Sequence, residues 1–260
     1  MSLIAGHTYK DSGSSGQPVI CLHGIGGNDT SFAAQSTGLA NDFRLLAWNM
    51  PGYNGSHPLT DVTFENLSNS LIAFMDALDI ASAHIMGQSI GGMLAQEIAI
   101  RHPDRVRSLI LIATSAAFGG RDDSFKDRFL ADRLAPLDKG KTMADLATEF
   151  VPEITGSIAS QETIQDAIMA MAAVPEATYR QIIRCLTTFN RRDDQHLLTM
   201  PTCLIAGEED QNAPAASMQK MATRIQESQF HLVEKAGHLV NSEASDIVND
   251  IVRDFLVNQG

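Results

Sequence analysis

The stretch that decides the fold is Ile85-Met86-Gly87-Gln88-Ser89-Ile90-Gly91-Gly92. It follows a short apolar run typical of a buried strand and precedes residues 93–100, where apolar residues recur at helical spacing. A strand that passes through Gly-x-Ser-x-Gly directly into a helix places Ser89 on a sharp turn. The two glycines have no side chain, which lets neighbouring backbone segments approach closely at this turn. We expect the Ser89 hydroxyl to lie at the amino end of a helix, where a developing oxyanion is stabilised. The same small residues would also suit close packing of a strand on a helix, so the motif alone does not establish a catalytic site. A site also requires suitable residues at the ends of other strands.

Short apolar runs alternate with helical patterns along the chain. The strand-like runs are residues 18–22, 43–48, 82–86, 106–113, 202–206 and 229–233. The helical patterns are residues 31–39, 64–78, 93–101, 215–225 and 244–257. The strand-like runs are almost continuously apolar, as expected of parallel strands covered on both faces. We therefore predict an α/β fold with a mostly parallel central sheet, helices on both faces and ligand sites at the carboxyl ends of the strands.

One segment, residues 118–198, departs from this alternation because it shows helix-like patterns and no convincing strand. Breaks in these patterns are expected at Pro136, Gly140, Pro152, Gly156 and Pro175. We predict that the segment is a helical cap inserted into a core domain made of residues 1–117 and 199–260. A cap over the strand ends would exclude water and shape a pocket, although a helical layer without that role is the alternative.

The composition excludes several classes of partner. The chain has 260 residues, 44% of them hydrophobic and 19% charged, and a formal net charge of −12 that would be repelled by nucleic acid or an anionic membrane. No apolar stretch reaches membrane-spanning length and the start lacks a secretion signal, so a cytoplasmic protein is expected. The three cysteines have no metal-ligand spacing and are expected to be reduced packing residues. The oligomeric state stays open, including a homodimer.

A glycine-rich loop, His23-Gly24-Ile25-Gly26-Gly27-Asn28, follows the first strand-like run. The backbone N–H of Ile25, together with that of Ile90, would form an oxyanion hole with two donors. Phosphate binding is a weaker interpretation because the loop has neither Gly-Lys-Ser/Thr nor the third glycine of a dinucleotide motif. We expect His23 to shape the loop rather than to act as a base.

Candidates for an acid and a base follow the last two strand-like runs. Gly207-Glu208-Glu209-Asp210 contains three carboxylates, one of which could turn inward to orient an imidazole. Turn chemistry favours Asp210, and spacing alone does not exclude Glu209. His238 follows the last run within Ala236-Gly237-His238 and is preferred over His231, which lies inside a strand pattern.

Together these motifs resemble the α/β-hydrolase superfamily. The matching stretches are residues 22–27, 48–56, 85–92, 102–106, 200–202, 207–214 and 236–238. The order Ser89, Asp210, His238 is that of the superfamily's triad, and the family pattern Gly-x-x-Asp-x-x-x-Pro selects Asp210 over Glu209. Ser89 also implies that the chain is not a dehalogenase or epoxide hydrolase of the usual kind, which carry Asp at this position.

Within the superfamily the chain looks most similar to 3-oxoadipate enol-lactonases and meta-cleavage-product carbon-carbon hydrolases. The supporting stretches are Ala113-Thr114-Ser115 and Asn190-Arg191-Arg192-Asp193-Asp194. Asn54 stands where many members have Gly, and Met50-Pro51 replaces a commoner Asp-x-Arg, so the loop that borders the pocket is expected to differ.

The resemblance implies a hydrolase that cleaves a small-molecule carboxylic ester or lactone through an acyl-enzyme, with no metal or organic cofactor. Ser89 would be the nucleophile, His238 the base and Asp210 the acid. Alternatives are hydrolysis of a carbon-carbon bond in a vinylogous diketone, a capped small-molecule receptor and a cofactor-free oxygenase.

The substrate pocket is expected to involve residues from both the core and the cap. The candidates for its lining are Gly24, Gln88, Met143, Phe189 and Leu239. Four cap arginines could place a positive charge near a substrate carboxylate, namely Arg180, Arg184, Arg191 and Arg192.

Overall fold

The computed structural model describes residues 2–119 and 123–259. Within them the strands are β1 (Ser2–Ile4), β2 (His7–Asp11), β3 (Gln17–Leu22), β4 (Phe43–Trp48), β5 (Ala83–Gln88), β6 (Val106–Ile112), β7 (Thr202–Gly207) and β8 (Ser228–Val233). They form one sheet in the order β1-β2-β4-β3-β5-β6-β7-β8. The pairs β1/β2 and β2/β4 are antiparallel, and the pairs from β4 through β8 are parallel.

Helices lie between the parallel strands and after the last of them. They are α1 (Ala33–Gly38), α2 (Phe64–Ala77), α3 (Ile90–Arg101), α4 (Asp123–Asp138), α5 (Met143–Ile154), α6 (Gln161–Ala172), α7 (Glu176–Leu186), α8 (Ala215–Ala222), α9 (Val240–Glu243) and α10 (Ser245–Val257). None of the helices in the described part of the chain combines the length and hydropathy needed to cross a membrane.

Both faces of the central strands are buried. In β3, Ile20 and Leu22 pack on the face covered by α2 and α3, whereas Val19 and Cys21 pack on the face covered by α1 and α10. All four side chains are fully buried. Because successive side chains of a strand point to opposite faces, burial on both faces requires the continuous apolar runs seen in the sequence. The predicted fold class is confirmed, and the parallel strands lie within two residues of their predicted positions.

The helices α4 to α7 lie between β6 and β7, in the segment predicted as a cap, and we keep the name cap for residues 118–198. An antiparallel bridge between Ala117 and Asn190 joins the two ends of this segment. The Phe118 N–H also donates to the Phe189 carbonyl at 2.9 Å. These contacts fix the base of the cap beside the end of β6. Residues 120–122 of the predicted cap, and residues 1 and 260 of the predicted core, lie outside the described residues.

Two details of the sequence-based prediction were wrong. Pro136 and Pro152 were expected to break helices but lie inside α4 and α5. Each stands two residues before the end of its helix, where the missing proline N–H disturbs only the last turn. The antiparallel strands β1 and β2 were not predicted, because His7-Thr8-Tyr9-Lys10-Asp11 lacks the apolar run that marks the central strands.

Candidate active site

Ser89 lies between β5 and α3 in a strained backbone conformation, with φ 56° and ψ −120°. The turn is anchored to β6, because the Ser89 N–H donates to the Ile112 carbonyl at 2.9 Å. A Cβ atom at Gly87 would overlap the Gly91 carbonyl, and one at Gly91 would overlap the Leu22 carbonyl of β3. Both glycines are therefore required by close backbone approach, and the strained turn presents the Ser89 side chain beyond the strand ends.

His238 connects Ser89 to Asp210. Its Nε2 atom lies 2.9 Å from the Ser89 Oγ atom, and its Nδ1 atom lies 2.8 Å from the Asp210 carboxylate. A carboxylate accepts only, so Nδ1–H donates to Asp210 and leaves Nε2 to accept from the Ser89 hydroxyl. The three side chains, from loops after β5, β7 and β8, thus form one hydrogen-bonded line.

Asp210 is held as an ionised acceptor. Its carboxylate is nearly fully buried and also accepts N–H groups from Asn212 at 2.8 Å and Ala213 at 3.0 Å. Burial on its own raises the pKa of Asp210, but the His238 hydrogen bond and charge and the two N–H groups outweigh it and lower the pKa. Glu209, which spacing alone did not exclude, instead accepts from the Ser157 N–H and hydroxyl in the cap.

The backbone N–H groups expected to form an oxyanion hole belong to Ile25, in the glycine-rich loop after β3, and to Ile90, at the start of α3. Neither has a hydrogen-bond acceptor within the described residues. Ile25 lines the cavity that contains Ser89, and Ile90 begins α3 directly after it. Two free N–H donors near the Ser89 hydroxyl would suit an oxyanion that develops on a bound carbonyl.

His23 shapes the loop that carries Ile25. The ring is fully buried, its Nδ1–H donates to the Gly24 carbonyl at 2.8 Å, and its Nε2 accepts from the Met50 N–H at 3.1 Å. Burial lowers the pKa of His23 to about 4. A neutral ring with both nitrogens occupied by the backbone fits the structural role expected from the sequence.

The loop that carries His238 is held by two side chains whose role the sequence did not reveal. The Gln88 side-chain amide donates to the His238 carbonyl at 2.8 Å. The Glu243 carboxylate accepts N–H groups from Gly237 at 2.8 Å and Leu239 at 2.9 Å. Glu243 is the one charged residue between residues 239 and 245, which is the only sequence signal that could have marked it.

A cavity of about 850 Å³ opens between the strand ends and the cap. Ser89 and His238 line it, as do three of the predicted pocket residues, Gly24, Gln88 and Leu239. The described part of the chain contains no cluster of three His, Cys, Asp or Glu side chains placed to hold a metal ion.

Two other predicted pocket residues do not line this cavity. Met143 is buried in the core at the start of α5, and Phe189 is buried against Phe64 with ring centroids 4.8 Å apart. The pocket prediction is corrected at both positions, because both side chains are buried in apolar packing instead of lining the cavity.

The four cap arginines proposed to face a substrate lie outside the cavity lining as well. Arg180 pairs with Glu176 and Asp138, and Arg191 pairs with Glu97 and Asp194. Arg184 and Arg192 donate to backbone carbonyls. All four guanidinium groups therefore have partners within the protein.

With this geometry established, the comparisons place the chain in a family. It belongs to the alpha/beta hydrolase fold family, whose model matches residues 17–245. The predicted resemblance is therefore confirmed at the level of the superfamily.

Individual relatives are distant in sequence. The chain is 28% identical over 262 residues to 2-hydroxymuconate semialdehyde hydrolase of Pseudomonas sp. strain CF600, covering 95% of this chain and 88% of that protein. It is 27% identical over 254 residues to the dihydrolipoyllysine-residue acetyltransferase component of the acetoin cleaving system of Pseudomonas putida, covering 95% of this chain. Only 65% of that relative is covered, so this chain spans less than two thirds of its length.

A solved structure matches over nearly the whole chain. The enol-lactonase of Burkholderia xenovorans LB400 superposes with a TM-score of 0.87 at 22% sequence identity, covering 98% of both chains. At this sequence identity, the structural similarity shows a shared fold. The sequence analysis had already predicted a resemblance to enol-lactonases and meta-cleavage-product hydrolases.

Proposed function

We propose that the protein is a serine hydrolase that cleaves a small-molecule carboxylic ester or lactone through an acyl-enzyme. The observation that carries this proposal is the hydrogen-bonded line from Ser89 through His238 to Asp210, which opens into a cavity. His238 takes the proton of Ser89 as the hydroxyl attacks the carbonyl, and Asp210 stabilises the imidazolium that forms. The N–H groups of Ile25 and Ile90 bind the oxyanion.

The second half of the reaction reuses the same groups. His238 donates its proton to the leaving alkoxide or enolate, and the acyl group remains on the Ser89 oxygen. A water molecule then attacks the acyl carbonyl while His238 acts again as base, which releases the carboxylic acid and restores the serine hydroxyl. A lactone follows the same steps, except that the leaving alcohol stays attached to the acyl chain.

Ser89→Ala tests the proposal. Because the hydroxyl forms the covalent bond, we expect turnover of 4-nitrophenyl esters to fall by at least about 10⁴-fold and labelling by a fluorophosphonate to disappear. Ser70→Ala is a matched control, since Ser70 lies in α2 away from the cavity lining. Full activity or unchanged labelling in the Ser89→Ala variant would contradict the assignment.

Carbon-carbon bond hydrolysis is a second candidate, supported by the relative named as a 2-hydroxymuconate semialdehyde hydrolase. Ser89, His238 and Asp210 could catalyse either reaction, so the two candidate functions are distinguished by the substrate that the protein turns over. Purified protein assayed with 4-nitrophenyl esters, an enol-lactone and a ring-cleavage dienoate separates the two. Turnover of the dienoate that exceeds turnover of both ester classes would favour the second candidate.

A further inference from the structure

A buried carboxylate joins the cap to the helix that begins directly after Ser89. Glu97 lies on α3 and is nearly fully buried. The Arg191 guanidinium donates to both of its oxygens, from Nε at 2.7 Å and from a terminal nitrogen at 2.8 Å. Because Arg191 belongs to the end of the cap, this contact links two segments that lie 94 positions apart. Two parallel hydrogen bonds fix the direction of the guanidinium as well as its distance.

Glu97 is held in its ionised form by two arginines. Burial raises the pKa of Glu97, but hydrogen bonds from Arg191 and Arg101 outweigh it and lower the pKa. Arg101 lies on α3 itself, is partly exposed and also pairs with exposed Glu65. Of the two arginines, Arg191 is therefore the one that joins the cap to the core.

The cap leaves and rejoins the core through two short segments, residues 115–118 and 189–191, which we call the cap stems. The Arg191 N–H donates to the Ala116 carbonyl at 2.8 Å, which pairs the two stems. Three residues of the first stem also line the cavity, namely Ser115, Ala117 and Phe118. The position of the stems therefore determines the shape of one wall of the cavity.

Gln96 holds the stems a second time from the same helix. Its side chain is fully buried, its amide nitrogen donates to the Ser115 carbonyl at 3.1 Å, and its oxygen accepts from the Gln195 side-chain amide at 2.9 Å. Gln195 also donates to the Arg191 carbonyl at 3.0 Å. Adjacent side chains of α3 thus contact both stems.

Stability alone does not account for a buried ion pair in this place. Two apolar side chains of similar volume often stabilise a fold as well as such a pair, because the charges must first be taken out of water. Apolar side chains lack direction, however, and can slide past each other. Two parallel hydrogen bonds permit one arrangement.

We propose that Glu97 and Arg191 are positioning residues that fix the cap stems on α3, and with them the wall of the cavity that contains Ser89. The core then supplies the reacting groups, and this ion pair keeps the cap in register with them. The kinetic consequences rest on the proposed function, whereas the fixation of the stems does not.

Removal of one or both charges separates positioning from stability. Arg191→Leu leaves the buried Glu97 carboxylate with one arginine, so we expect its thermal unfolding midpoint to fall. The double variant Glu97→Leu/Arg191→Leu buries neither charge and should regain most of that loss. Its Arg101 side chain is partly exposed and keeps Glu65 as a partner.

Two esters that differ in length report on the wall of the cavity. The acyl chain of 4-nitrophenyl octanoate extends into the cavity, whereas that of 4-nitrophenyl acetate ends close to Ser89. In the double variant, kcat/KM for the octanoate should fall about 10- to 100-fold, mainly through KM, and that for the acetate should stay within about threefold. Recovery of wild-type octanoate turnover together with stability would show that the pair acts on stability alone and would overturn the proposal. Equal losses for the two esters would overturn it as well.

Arg101→Leu is the matched control, because it removes the other arginine from the same carboxylate without touching the cap. It should keep kcat/KM for the octanoate within about twofold of the wild type, since the contact between Glu97 and Arg191 remains. A loss as large as that of the double variant would show that the charge of Glu97, and not its link to the cap, is what matters.

Hydrogen exchange tests the stems without any turnover. The N–H groups of Phe118 and Arg191 form the hydrogen bonds between the stems, so in the double variant they should exchange at least about tenfold faster, while β5 keeps its wild-type protection. Unchanged exchange at both positions would overturn the role of the ion pair, whatever the protein hydrolyses. Faster exchange in a protein whose wild type neither cleaves esters nor reacts with a fluorophosphonate would instead count against the proposed function alone.

Discussion

Individual side chains hold the backbone around His238 in place, and Glu243 makes the largest number of these contacts. Its carboxylate is buried and accepts N–H groups from the residues on both sides of the histidine. A third N–H comes from Gly156 in the cap at 2.8 Å. Burial raises the pKa of Glu243, and the N–H groups that point at it act in the opposite direction. The carboxylate thus ties the histidine loop to the cap through backbone N–H groups, and no lysine or arginine among the described residues pairs with it.

Replacing this carboxylate by an amide tests its positioning role. In Glu243→Gln the amide NH₂ would face backbone N–H donors, so at least one buried donor loses its acceptor. We expect the free energy of unfolding to fall by about 1–3 kcal/mol and kcat to fall more than KM changes, because His238 is less well placed. Urea unfolding and ester kinetics measure both quantities.

Glu234→Gln is the control, since Glu234 is exposed just before the same loop. It should change neither quantity. Wild-type kcat and stability in Glu243→Gln would show that the loop holds its geometry without the carboxylate.

At the scale of elements, the close approach of α3 to β3 places Ser89. Gly91 in the first turn of α3 lies against the Leu22 and His23 carbonyls at the end of β3. In Gly91→Ala the added methyl group would overlap both, and backbone cannot move aside as a side chain can. We expect a loss of at least about 1–3 kcal/mol in the free energy of unfolding, or failure to fold. Thermal and urea unfolding measure it.

Gly26→Ala is the matched comparison, because the atoms nearest to its methyl group would belong to the Met171 side chain, at 3.2 Å. Methionine is flexible enough to move by a few tenths of an ångström. This variant should lose less than about 1 kcal/mol. Equal stability of the two variants would show that close backbone approach does not explain the glycine at position 91.

The sequence predicted secondary structure best where the residues of the element itself determine its burial. β4 was predicted at its observed bounds because residues 43–48 are apolar enough to be buried on both faces. By contrast, β2 buries only His7, Thr8 and Tyr9, and it depends on antiparallel pairing with β4, a partner distant in sequence. Local patterns do not encode that pairing.

For the whole molecule, the limit of sequence reasoning lies in contacts between distant segments. The order of Ser89, Asp210 and His238 was readable because each follows its own strand. Which arginines form ion pairs was not readable from the sequence, since Arg191 meets Glu97 on α3, 94 positions away. Only the folded chain distinguishes Arg191, paired on the core, from Arg133, which faces the cavity.

Two buried histidines make the stability of the whole molecule depend on pH. Burial lowers the pKa of both His23 and His84 to about 4, with a further contribution from the Arg107 charge at His84. The unfolded chain takes up these protons near its ordinary value of 6.5, before the folded chain does. Stability is therefore complete above about pH 6.5 and is lost as the pH falls toward 4. Between pH 7 and pH 5.5 we expect the free energy of unfolding to fall by about 1 kcal/mol for each histidine.

Urea unfolding of His84→Gln isolates one of the two contributions. In the wild type, His84 contacts the Ser108 hydroxyl and the Gln17 side-chain oxygen, each at 2.8 Å. A glutamine does not titrate, so the variant should be less stable at pH 7 but should lose about 1 kcal/mol less than the wild type between pH 7 and pH 5.5. His196→Gln, at an exposed position, should keep the wild-type dependence. If wild type and His84→Gln lose the same free energy over this interval, protonation of buried His84 is not a source of the acid sensitivity.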